Sequence, residues 1–176
     1  MRAVGSDGSE AVPTGDQEWE RIARSGANQQ SEESEPELIR EFLSFGLAGA
    51  TYAIPVERVR EIIRLREVTP MPRVPACITG VVALRGDVVQ VVDMRIRLNL
   101  EMGAPTRRSR IIVLHGDDDR VTGIAVDSVQ EVLRVNEEEI DTVPTQSSSV
   151  VSELCKRGDE FVSIVDLDYM LALDEP

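Results

Sequence analysis

Histidine is nearly missing from this 176-residue sequence, and aromatic residues make up only 3% of it. With His115 as the single histidine, most acid–base and metal chemistry built on imidazole has no residue to use. Cysteine is almost as scarce. Cys77 and Cys155 share no metal-binding or redox spacing, and the first residues show no secretory signal. Both thiols therefore read as reduced, buried or half-buried apolar side chains of a cytoplasmic protein. No apolar run approaches the roughly 18 residues of a membrane span, so direct membrane insertion is not expected. Acidic residues outnumber basic ones by 32 to 19, and the net charge of −13 argues against nucleic acid and anionic membrane as partners. The phosphate-loop, dinucleotide, zinc-protease and nucleophile-elbow signatures are absent. No catalytic residue, cofactor or metal ligand is assigned.

What is present is a tail and a repeat. Residues 1–37 are rich in Ser, Gly, Glu and Gln and predict a disordered acidic tail, with Asp16–Arg24 as a marginal amphipathic helix. From Leu38 the text runs twice. Ile54, Val56, Val59, Glu61 and Arg64 match Ile124, Val126, Val129, Glu131 and Arg134 at an offset of 70. Arg85-Gly86 matches Arg157-Gly158 at 72, and Asp93 matches Asp166 at 73. Residues 38–173 thus divide into two related units, 38–108 and 109–173.

Each unit reads as mostly β. Strands are predicted over Glu41–Leu47, Thr51–Pro55, Ile78–Leu84, Val88–Val92, Arg110–Leu114 and Val121–Val126, from β-branched and apolar runs bounded by turns. Arg85-Gly86-Asp87 predicts a three-residue hairpin loop and Lys156–Asp159 a second hairpin. Val56, Val59, Ile62 and Ile63 fall at three- and four-residue spacing, which predicts one or two helical turns. Pro70, Pro72 and Pro75 mark an irregular crossing segment. Short, evenly spaced strands in units of this size favour small closed or partly closed barrels.

Isolated candidates for chemistry have plainer explanations. Asp93 and Asp166 each precede a short apolar stretch and fit helix N-caps. Asp117-Asp118-Asp119 lacks calcium-loop spacing and fits a solvated turn tip. Glu61 and Glu131 have no nucleophile or metal beside them in sequence, and read as solvated polar positions. Charge is the uneven feature. Residues 1–37 hold 3 basic and 9 acidic groups, 38–108 hold 11 and 7, and 109–176 hold 5 and 16. Units of opposite sign point to partner surfaces of opposite sign, to head-to-tail contacts between like modules, or to drift in surface charge under a solubility constraint.

The stretches Glu41–Gly46, Tyr52–Val56, Val59–Ile62, Pro75–Val81, Ala83–Gly86 and Val91–Arg95 together resemble the CheW family of chemotaxis coupling proteins. The resemblance covers nearly all of residues 38–173. It implies two SH3-like five-stranded β-barrels with short helices around a shared hydrophobic core, barrel 1 over 38–108 and barrel 2 over 109–173. It implies a non-enzymatic adaptor, recruited from the cytoplasm to membrane-associated receptor arrays, that links chemoreceptor tips to the histidine kinase CheA. By position, Val59, Glu61, Arg85, Val113 and Val129 match receptor-binding segments, the two valines 113 and 129 lining an inter-barrel groove. Thr79, Gly80 and Val88 match contacts to the regulatory domain of CheA. Ala83 departs from the family's usual Asn, although Leu84-Arg85-Gly86 is intact. A CheW-like scaffold of a gliding or pilus pathway has the same residue pattern, and a small β-barrel ligand-binding protein is the reading from another class.

Overall fold

The computed structural model describes residues 37–116, 120–144 and 149–173. The expected tail, with its helix at 16–24, lies outside them apart from Glu37, and so does the acidic turn tip at 117–119. Strands β1 (Ile39–Leu47) and β2 (Ala50–Pro55) form the first hairpin. β3 (Val59–Arg64) follows, then the hairpin β4 (Ile78–Leu84) and β5 (Asp87–Asp93), and helix α1 (Met94–Arg97). The same series returns as β6 (Arg110–Leu114), β7 (Val121–Val126), β8 (Ser128–Asn136), β9 (Ile140–Thr142), β10 (Val151–Arg157), β11 (Glu160–Val165) and α2 (Leu167–Leu171). Asp93 accepts the Arg95 amide at 2.8 Å and Asp166 accepts the Tyr169 amide at 3.0 Å, so both aspartates are the helix caps their sequence position predicts.

The sheets do not divide at residue 108. One runs β8-β1-β2-β11-β10-β9 and the other β3-β6-β7-β5-β4. Each repeat therefore contributes its opening hairpin to the sheet completed by the other, instead of closing a barrel from contiguous residues. The repeat offsets hold through this exchange, since β3, β6 and β7 in one sheet stand where β8, β1 and β2 stand in the other. Pleat alternation explains why the exchange is stable. In β1 and β2, Leu43, Phe45, Leu47, Tyr52 and Ile54 face a core shared by both sheets, while Phe42 and Ala53 face the interior of their own barrel. In β6 and β7, Ile112, Leu114, Ile124 and Val126 join the shared core, while Ile111 and Val113 fill the second barrel. A strand buried on both faces reads as an unbroken apolar run, as Ile111-Ile112-Val113-Leu114 does.

Both barrels close at a seam. The strand of β8 bends at the 3-10 turn Glu137–Glu139 and continues as β9, which pairs with β10. The expected five strands thus number six in this sheet. In the other barrel, the chain beyond β3 reaches β4 through one bridge, Thr69 to Val81, with both amides bonded at 2.9 Å. Gly80 makes that approach possible. Its φ is +146°, and a Cβ there would stand 2.1 Å from the Thr69 carbonyl oxygen.

Two local expectations are corrected. Only Val56–Arg58 is helical, as a 3-10 turn, and the rest of the predicted helical stretch is β3. The three-residue spacing came from a turn followed by a bulge between Val59 and Glu61. The Arg85 loop has two residues rather than three, because Asp87 already pairs with Leu84. Arg85 and Gly86 both take positive φ, 49° and 90°, as a two-residue hairpin turn matched to strand twist requires. The second hairpin turns at Gly158-Asp159, with Arg157 paired to Glu160.

Candidate protein-docking site

The outer surface of the β3–β7 barrel gathers three of the eight predicted positions, Glu61, Arg85 and Val88. β3 alternates, with Arg60, Ile62 and Arg64 exposed and Val59, Glu61 and Ile63 half-buried. Barrel closure carries the tip of the β4–β5 hairpin to this strand. Arg85 reaches Glu61 at 3.4 Å and Arg60 reaches Asp87 at 2.8 Å. The Glu61 side chain is only 19% exposed while Arg85 is 77% exposed, so the guanidinium is the part offered to solvent. Val88, next to this tip, is 65% exposed, and Ile62 is 42% exposed. The face is thus apolar spots framed by two ion pairs, a composition suited to protein contact.

The remaining positions separate. Val59 and Val129 occupy equivalent places in the repeats, pair with Leu114 and Phe45, and pack half-buried against the shared core. Thr79 is exposed, its hydroxyl donating to the Val91 carbonyl at 3.2 Å. Gly80 is buried at the seam. Val113 is 0% exposed inside the β3–β7 barrel and presents no surface to a partner, a correction to its expected place in a groove. The pleat that sends Ile112 and Leu114 to the shared core turns Val113 inward. A cleft of about 560 Å³ does open where α2 faces β4, β5 and β7, floored by Val74, Ile78 and Leu171. Arg58, beside Val59, pairs there with Asp168 at 2.9 Å.

The other barrel repeats the face. Arg157 reaches Glu131 at 3.7 Å, Val132 (49% exposed) occupies the place of Ile62, and Phe161 (60% exposed) that of Val88. The sequence reading missed these apolar positions, although the repeat offsets of 70 and 73 lead from Ile62 to Val132 and from Val88 to Phe161. Surroundings differ in sign. Residues 56–126 hold 12 basic and 9 acidic groups, whereas 37–55 and 127–173 together hold 4 and 13. The exchange therefore makes one barrel net basic and the other strongly acidic.

Reactive features are few. Among the described residues, no three His, Cys, Asp or Glu side chains group as metal ligands would. Burial pushes the Cys155 thiol above its ordinary range, which suppresses the thiolate, and it likewise raises the Tyr52 phenol. The Arg40 guanidinium is held charged by its 2.9 Å hydrogen bond to Glu153.

The family model described as a CheW-like domain matches residues 41–175. The chain belongs to the CheW-like family. Chemotaxis protein CheW of Bacillus subtilis is 36% identical over 131 residues, covering 72% of this chain and 83% of the relative. Chemotaxis protein CheW of Rhizobium meliloti is 33% identical over 141 residues, covering 77% and 90%. The crystal structure of the scaffolding protein TtCheW from Thermoanaerobacter tengcongensis superposes with a TM-score of 0.71 at 25% identity, covering 78% of this CheW-like chain and 95% of that one. Among the described residues no helix is long and apolar enough to cross a membrane.

Proposed function

We propose that this CheW-like chain is a non-catalytic adaptor of a chemosensory array, holding chemoreceptor cytoplasmic tips and the histidine kinase CheA at once. The observation that carries the reading is the Glu61–Arg85 pair with Val88 beside it, on a chain whose relatives are chemotaxis and scaffolding proteins. In this reading the receptor's helical hairpin docks along Val59, Glu61, Arg85 and Val129, its apolar side chains against the half-buried valines and its polar ones against the ion pair. The regulatory domain of CheA docks at Thr79 and Val88, with Gly80 shaping the strand between them. Receptor state reaches the kinase only as a difference in affinity between two arrangements of the assembly. Recruitment of the chain to the membrane follows from receptor binding and needs no membrane-spanning segment of its own.

The test is titration of the purified full chain with a receptor cytoplasmic fragment and with the CheA regulatory domain, separately and together. Saturable binding to each and a ternary complex are expected. A chain that binds neither, or binds them only in competition, rejects the adaptor role.

The opposite charge of the two barrels favours a further partner, a like module docked head-to-tail, its basic barrel against this acidic one. Such association weakens as salt shortens the screening length. Association that ignores salt rejects it.

A further inference from the structure

Neither half of the chain contains a complete sheet. Within 37–104, β3 has its ladder only with β6, and the hairpins β1–β2 and β4–β5 are not paired to each other. Within 105–173, the β6–β7 hairpin extends outward only to β3 and β5, and β8 pairs only with β1. The second half keeps the three-stranded β9–β10–β11 set, but its Cys155, Val162 and Ile164 share their core with Phe42 and Ala53 of the first half; the other hairpins stand alone and are marginal in water. The shared core is divided as well, since Phe45 and Ile54 come from one half and Ile112, Ile124 and Met170 from the other. All five are fully buried.

The covalent link between the halves carries none of this. Residues 101–108 are exposed and belong to no helix or strand. On the first-half side of Ala104 the link is held by Arg95, which donates to the Glu101 carbonyl and pairs with Asp127 at 2.6 Å; on the other side Arg110 donates to the Arg107 carbonyl and the Thr106 amide to the Ser109 hydroxyl, each at 2.8 Å.

We propose that residues 37–104 and 105–173 are a self-recognising pair, each half binding the other through the exchanged hairpins with no need of the connection. The partner of each open sheet is a second repeat of the same kind, supplied by this chain but not required to be covalently continuous with it. This inference stands independently of the adaptor reading, because it concerns only strand pairing and burial.

The test begins with the full chain carrying a specific protease sequence inserted between Ala104 and Pro105. After native cleavage the fragments are expected to co-elute at the volume of the intact chain with an unchanged far-ultraviolet spectrum. The melting midpoint, independent of concentration before cleavage, is expected to fall by about 5 °C for each tenfold dilution afterwards, as a bimolecular equilibrium of this size demands. Separated in denaturant and refolded, each fragment alone is expected to lack a cooperative transition, and the mixture to regain it. Fragments that part on native chromatography, or one half that melts cooperatively alone, overturn the proposal. If the insertion itself prevents folding, the same sequence after Met102, which is 67% exposed, is the second variant and is judged by the same readings.

Discussion

Arg85 meets Glu61 at 3.4 Å across the seam of one barrel, and in the other Arg157, which ends its strand instead of opening the turn, makes the corresponding contact with Glu131 at 3.7 Å. The pair is thus an architectural habit of the repeat. Its two copies differ in burial, because Glu61 is mostly covered while Glu131 is mostly exposed.

Arg85→Ala is expected to leave the fold intact. The backbone keeps its positive φ and gains no strain, since alanine has the same Cβ, and an ion pair this exposed contributes about 0–1 kcal/mol. Receptor-fragment affinity should fall by about tenfold, the loss of one charge-assisted contact of about 1.4 kcal/mol. Equal affinity for both proteins in calorimetry would remove Arg85 from the docking face.

Gly80→Ala and Thr79→Ala separate structure from contact at neighbouring positions. A methyl at Gly80 meets the Thr69 backbone, and the cost should be about 2–4 kcal/mol, read as a lower denaturant midpoint. Thr79→Ala removes one long, partly buried hydrogen bond and should cost about 1 kcal/mol or less. A Gly80 variant of unchanged midpoint contradicts the seam as described.

Val88→Asp places a charge on an outward position and should leave the midpoint within about 0.5 kcal/mol of the parent chain. Binding to the CheA regulatory domain should drop by tenfold or more, with receptor-fragment binding retained. Loss of both, or of neither, contradicts the assignment of Val88 to the kinase face.

Alkaline pH should destabilise the chain. Cys155 and Tyr52 have folded-state pKa values raised by burial above their ordinary 9.0 and 10.0. Their contribution is complete below those ordinary values and is lost as pH rises through the raised ones, because the unfolded groups ionise first. Midpoints measured from pH 7 to 11 should begin to fall near pH 9, and Cys155→Val should remove the earlier part of the fall. A profile identical in parent and variant would contradict the burial effect at Cys155.

Much of this architecture is legible in the sequence. Strand positions followed from β-branched runs, the helix caps from Asp93 and Asp166, and the twofold plan from Glu61 and Glu131 at one offset. The exchange of hairpins was not legible. Ile111–Leu114 is apolar at every position because both of its faces are covered, and such a run carries no record of which strands cover them. For the same reason Val113 gave no sign that it points into a barrel. Val56–Ile63 misled in another way. A 3-10 turn and a bulge spaced the apolar residues as a helix would, yet Ile62 lies on the outside. Positive φ at Arg85 likewise depends on a turn length that only the Leu84–Asp87 pairing fixes.

The order of strands also sets when this protein becomes a protein. The hairpin β1–β2 is finished by Pro55, but its neighbours β8 and β11 are not both made until Val165. At ribosomal rates of about 5–20 residues per second, that leaves Phe45 and Ile54 uncovered for several seconds during synthesis. Neither sheet can be completed from the first half of the chain, so the first hairpin stays open on both edges until the strands made last are available to it.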